Sequence, residues 1–343
     1  MSFISAPSAE RKILSILKVL SGLQKPAGSA LISKHLKDRG IELSERTIRY
    51  HLRLTDERGF TQLVRERDGR VVTERGLLEI QRALVKDKMG LSISRIEQLA
   101  FRTSIDLENR SGMVPVNISI FSQDKFRDAL ETMANVFDQG LCVSNLILLA
   151  SGGEKIGDVL IPKGSCGLAS VCSIVINGAL LKAGIPMDSK FGGILQLRKH
   201  QPVRFTEMIH YNGTSLDPSE IFIKARMTSV REAAASGEGE ILANFREIPA
   251  ICQPIADSVF SQLRQAGFTG LLLEGKTSET VCEVNVEQGK IGIILLGGLN
   301  PAAAAVEAGI ETENHSMSTV VSYDQLKPFA EVVNQTRKSV SLP

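Results

Sequence analysis

Two residue patterns in this 343-residue chain could do chemistry. The first is cationic. In "SERTIRYHLRLTDERGF" (44–60), Arg46, Arg49 and Arg53 recur every three or four residues, with Thr47 and Tyr50 between them. "VRERDGR" then adds Arg65, Arg67 and Arg70. Guanidinium groups at helical spacing suit phosphates and guanine edges. The competing readings are a solvated helix face and a protein-binding module. The second pattern would hold a small anion. "KGSCGLASVCS" (163–173) and "LLGGLNP" (295–301) are Gly-rich turns, each running into a helix. Where no Cβ intervenes, backbone N–H groups can approach an anion closely. Arg246, in "SGEGEILANFREIP", ends a predicted strand, where it either pairs with a ligand carboxylate or caps the sheet edge.

Other motifs are weaker. "GLLLEGKT" (270–277) matches GxxxxGK[ST], yet Leu271–Leu273 read as the strand itself and no helix follows, so nucleotide binding is not expected. Cys172 stands where a strand turns into a helix, a position that lowers a thiol pKa. No His lies on an obviously facing motif, and its best role is contact with a ligand beside Ser173. The alternative is a small-molecule enzyme with Cys172 as nucleophile and the basic head as a docking module. Five cysteines with no CxxC indicate neither a disulfide framework nor a zinc site, and no metal or cofactor is expected.

These residues need elements to hold them. Residues 1–90 carry 18 basic against 11 acidic side chains, net +7, and the remainder carries 22 against 27, net −5. A basic head on an acidic body calls for a polyanionic partner for the head alone. "RKILSILKVLSGL" and "GSALISKHLKDRG" read as short amphipathic helices, Ser44 caps a third, and "FTQLVRERDGRVV" folds back at Asp68-Gly69 as a hairpin. That order is a winged helix-turn-helix over 1–88, with its third helix in the DNA major groove. Residues 89–112 are then a linker. No apolar run approaches a membrane span, and the chain reads as cytoplasmic.

The body, 113–335, repeats itself. "IPKGSCGLASVCSIVINGALLKAGIP" (161–186) aligns without gaps on "VEQGKIGIILLGGLNPAAAAVEAGIE" (286–311), and the same offset of 125 pairs "NLIL" with "GLLL" and "VNISIF" with "ILANFR". The expected fold class is α/β (α+β): an N-terminal winged helix-turn-helix followed by an α/β regulatory domain of two related halves, about 114–186 and 239–311. Ligands settle between such halves. The stretch "YNGTSLDPSEIF" (211–222) reads as a loop that covers a pocket or simply connects strands.

The head string "SERTIRYHL…DERGF…DGRVVTERG" fits many regulators. The body strings "VCSIVINGALLKAGIP", "FGGILQL", "PVRFTEMIHYNGTSLDPSEIFI", "GEILANFREIP" and "GGLNPAAAAVEAGI" are longer and more unusual. Together they resemble the archaeal nitrogen-assimilation repressor family, NrpR, over most of residues 11–311. The resemblance implies a repressor of nitrogen-fixation and ammonium-assimilation genes that binds palindromic double-stranded operator DNA as a homodimer. It also implies release by the effector 2-oxoglutarate, and leaves open whether a companion subunit is needed. A dianion of that kind would call on Gly164, Ser165, Gly167, Cys172, Ser173, Gly297, Gly298 and Asn300, with Arg204 and Arg246 as charge partners.

Overall fold

The computed structural model describes residues 7–23, 25–38, 40–65, 69–81 and 91–340. The chain divides into two compact units, Met1–Lys88 and Met89–Pro343. In the first, α1 (Pro7–Gly22), α2 (Ser29–Lys37) and α3 (Glu45–Glu57) pack around Ile16, Leu20, Ile32, Leu36, Ile48 and Leu52. Ser44 caps α3, its hydroxyl accepting the Thr47 amide at 3.2 Å. The strands β1 (Thr61–Arg65) and β2 (Gly69–Val72) form the antiparallel hairpin. Arg70 and Ala27 exchange both backbone hydrogen bonds at 3.0 Å, which ties the hairpin to the α1–α2 connection. A Cβ on Gly69 would lie 2.3 Å from the Ala27 carbonyl, so only glycine fits there. Thr73 caps α4 (Glu74–Gln81), accepting the Gly76 amide at 3.1 Å.

The second unit begins with α5 (Leu91–Arg102), where a linker was expected. Ser92, Ile96, Leu99 and Ala100 are buried along one face of it, so most of 89–112 is packed structure. Charged residues at 95, 97 and 102 hide that apolar stripe in the sequence.

Two five-stranded sheets follow. One runs β13-β3-β7-β4-β14 and the other β11-β12-β10-β8-β9. The first copy supplies β3 (Met113–Ser122), α6 (Phe126–Asp138), β4 (Leu146–Ser151), the small hairpin β5 (Lys155–Ile156) and β6 (Val159–Leu160), then β7 (Ser165–Val171) and α7 (Ile174–Lys182). The connecting stretch holds β8 (Asp188–Arg198), β9 (Gln201–His210), α8 (Pro218–Lys224) and α9 (Val230–Ser236). The second copy supplies β10 (Gly239–Pro249), α10 (Gln253–Gln265), β11 (Leu271–Glu274), β12 (Lys290–Leu296) and α11 (Asn300–Glu307). Last come β13 (Thr312–Ser322), β14 (Lys327–Pro328) and α12 (Phe329–Val340).

The copies are interlocked. The strand after the first copy, β8, pairs with β10 of the second, Gly239 opposite Leu197 and Ala243 opposite Gly193. The strand after the second copy, β13, pairs with β3 of the first, Thr312 opposite Phe121 and Val320 opposite Pro115. Register also corrects the offset. Val116 faces Val171 on the first sheet and Ala243 faces Leu296 on the second. The later blocks therefore correspond at 125, whereas β3 and β10 correspond at 127. Asn117 is thus the counterpart of Asn244, and Ser119 that of Arg246. Within α7, residues 174–180 are buried all round, as in a helix enclosed by protein.

Candidate functional site

The head presents its cations on α3. Arg46, Arg49, Tyr50 and Arg53 are exposed, Tyr50 at 60%, while Ile48, Leu52 and Thr55 face inward. Thr47 is half-buried and shares a 2.9 Å hydrogen bond with the capping Ser44 hydroxyl. Arg65 is exposed on the hairpin, and Arg67 lies outside the described residues. Arg70 Nε donates to Asp56 Oδ2 at 2.7 Å, and Asp56 Oδ1 accepts from Thr61 at 2.6 Å. Through this ion pair Arg70 ties the wing to the end of α3.

In the second unit, β10 alternates its side chains and delivers Asn244 and Arg246 to one face. Arg246 is 1% exposed. Its Nη1 donates to Asn177 Oδ1 at 2.5 Å and Ser189 Oγ at 2.7 Å, and Nη2 donates to Ser173 Oγ at 3.2 Å. Nε has no partner, and no carboxylate of the described residues lies within ion-pairing distance. Burial lowers its pKa from the ordinary value. A buried guanidinium held only by neutral oxygens is costly unless an anion joins it.

That guanidinium borders a small polar cavity where the copies meet, lined also by Asn117, Cys172, Ser173, Asn244, Gly298 and Met317. Both repeat-related asparagines are there. Asn244 donates to Ser173 Oγ at 3.3 Å and accepts from the Tyr211 hydroxyl, while Asn117 accepts the Met317 amide at 3.0 Å. The stretch 211–222 covers the cavity with Tyr211, Asp217 and Ser219. Asp217 caps α8 by accepting the Ser219 amide at 2.8 Å. Burial and the nearby Glu220 push its carboxyl up to about 6. The free space, about 20 Å³, holds roughly one water.

Several expected ligand contacts lie elsewhere. Gly164, Ser165 and Gly167 are at the opening end of β7, and five to eight residues of extended chain put them roughly 16–26 Å from Cys172 at its other end. Arg204 is exposed on β9, the outer strand of its sheet, and does not line the cavity. Asn300 uses its amide on the backbone of Leu242, accepting the N–H at 2.8 Å and donating to the carbonyl at 3.1 Å. Gly297 donates its amide to the same carbonyl at 2.8 Å. These two clamp α11 to β10. Gly298 is brought in, because a Cβ there would sit 2.4 Å from Asn117 Nδ2 and 2.5 Å from the Val171 carbonyl. Cys172 lines the cavity, but burial pushes its thiol up to about 11, the wrong direction for a nucleophile. Elsewhere, the carboxylates of Asp188, Glu247 and Glu287 converge, but Lys190 and Lys290 sit among them at 2.7–3.3 Å, which makes an ion-pair network.

The family model for the NrpR regulatory domains NRD1 and 2 matches residues 89–328, and a ribonuclease R winged-helix domain model matches 14–80. A relative from Methanosarcina mazei, the global nitrogen regulator NrpRI, is 39% identical over 94% of this chain and 98% of its own length. The chain belongs to the NrpR family. The global nitrogen regulators NrpR of Methanocaldococcus jannaschii and Methanococcus maripaludis are 31% and 29% identical over 92% and 94% of the chain. The chain spans only 55% of those two relatives' lengths. A crystal structure of a nitrogen repressor-like protein from Methanococcus jannaschii superposes with a TM-score of 0.59 at 23% identity, covering 69% of this chain and 98% of that one, and so shares its fold. The NrpR match begins at residue 89, which agrees with α5 being part of the regulatory unit.

Proposed function

We propose that this NrpR-family chain represses nitrogen-fixation and ammonium-assimilation genes by binding palindromic operator DNA as a homodimer, and that 2-oxoglutarate in the Arg246 cavity releases it. Regulator-named relatives and the winged head support the DNA-directed role. No helix among the described residues is long and apolar enough to cross a membrane. The observation that carries the effector reading is Arg246: a buried cation with an unused Nε, facing small neutral hydrogen-bonding groups. Guanidinium is the group of choice for a desolvated carboxylate. Asn117, Ser173 and Asn244 offer donors for the keto oxygen and the remaining carboxylate. Because the cavity holds about one water, the effector must open it, and a ligand that opens a site stabilises a different conformation from the empty one.

Calorimetry on the full chain tests the site. Wild type is expected to bind 2-oxoglutarate, and Arg246→Gln to bind it at least a hundredfold more weakly, about 2.7 kcal/mol. Unchanged affinity in that variant would rule out the cavity. Operator titration at several salt concentrations tests the head. Log affinity is expected to fall steeply against log salt, and 2-oxoglutarate to weaken binding.

A further inference from the structure

We infer that α5 is the element through which occupancy of the cavity is read by the DNA-binding head, by pivoting about its C-terminal end. This rests on the cavity being the effector site and adds how its filling is transmitted.

Of the elements that line the cavity, α5 is the one the chain enters directly from the head. Ile96, at its middle, lines the cavity and packs in one cluster with Cys172, Tyr211 and Met317. The opposite face is exposed, Phe101 to 80%. Among the other walls, β3 and β10 present Asn117, Asn244 and Arg246 from within their ladders, and α7 is buried all round.

The two ends of α5 are held differently. Just past its C-terminus, Thr103 is fully buried and its Oγ1 donates to the Leu99 carbonyl at 2.8 Å. Thr103 lies so close to Gly178 of α7 that a Cβ there would come within 2.4 Å of it. Ser104 then donates its amide to Met113 of β3 at 3.0 Å. That end is pinned. Near the N-terminus, Ile93 packs on the same apolar cluster and the hydroxyl of buried Ser92 donates to the Leu216 carbonyl at 3.0 Å, so this end is held to the covering segment rather than to a sheet. Leu216 precedes the capping Asp217, and Glu220 in the same covering segment accepts both the amide and hydroxyl of Ser316 on β13, at 2.6 and 2.5 Å.

A ligand larger than one water has to displace Ile96, the covering segment, or both. Displacing Ile96 swings α5 about Thr103, and displacing Leu216 pulls on Ser92 at the moving end. Both act on Leu91, the first residue of α5, which the chain joins to the head. Shifts of 1–2 Å in a packed helix are typical of such switches.

The test uses the full chain with Ser92→Ala, a residue that does not line the cavity. Effector affinity is read by calorimetry and operator affinity with and without saturating 2-oxoglutarate. Ser92→Ala is expected to bind effector within about threefold of wild type, while the effector-induced loss of operator affinity shrinks at least tenfold. By linkage, operator DNA should then weaken effector binding in wild type and much less in the variant. Release as strong as wild type in Ser92→Ala would overturn the inference. Loss of effector binding and release together would overturn it too, since Ser92 would then only shape the cavity. Absence of effector binding in wild type would instead overturn the site assignment beneath it.

Discussion

At the scale of single residues, the cavity sets a buried cation and a buried acid in one small space, and the acid is the easier to test. Asp217 has a folded pKa raised to about 6, above the ordinary carboxylate value, because burial and Glu220 penalise its charge. The folded state therefore holds this proton more tightly than the unfolded chain. Stability is expected to fall as pH rises from about 4 to about 6, by up to about 3 kcal/mol, and to stay flat above. Asp217→Asn keeps the cap for α8 and removes the ionisation. It should be more stable than wild type by about 1–3 kcal/mol at pH 8 and equal at pH 4. Calorimetric unfolding from pH 4 to 8 checks this, and a parallel pH profile in both proteins would contradict it. Arg246 was legible as an isolated Arg in a predicted strand. Ile96 was not, because it reaches the cavity from a stretch read as a linker, and 211–222 was read only as a loop that covers a pocket or connects strands, with neither Tyr211 nor Asp217 singled out. No spacing in the sequence joins those segments to β10.

At the scale of elements, the head was read almost completely, since caps, amphipathic periodicity and an Asp-Gly turn are local signals. What locality could not show was a pairing. Asp56 and Arg70 are fourteen residues apart and meet only because the hairpin folds back onto α3. Arg49→Ala is expected to reduce the salt slope of operator binding by about one and weaken binding without affecting folding. Arg70→Ala should instead lower the thermal stability of the head by about 1 kcal/mol, with a smaller change in salt slope. Equal slopes and equal stability for the two would show that both reach phosphate. In the body, repeat periodicity gave the strand–helix order but missed the two-residue slip of β3 against β10, which concealed the pairing of Asn117 with Asn244. Gly298 stands at the contact of the copies. Gly298→Ala would drive a methyl into Asn117 and the Val171 carbonyl. It is expected to destabilise the second unit by several kcal/mol and to abolish effector binding. A variant with wild-type melting and affinity would show that the contact yields.

At the scale of the whole molecule, the regulatory unit cannot be divided into its repeats. Residues 89–238 contain β8 lacking β10, and residues 239–343 contain β13 lacking β3. Each fragment alone is expected to unfold without a cooperative transition, and an equimolar mixture to regain one. Cooperative melting of either fragment by itself would show that the exchanged strand is dispensable. The same clasp has a bearing on ancestry. A single copy with its trailing strand is complete only beside a twin, so the unit is what two identical chains would form if each lent the other an edge. Identical chains must place identical side chains at corresponding positions. Two copies within one chain are free of that restriction, and here one copy carries Arg246 where the other carries Ser119: a lone positive charge at the seam, which no symmetric pair could keep single.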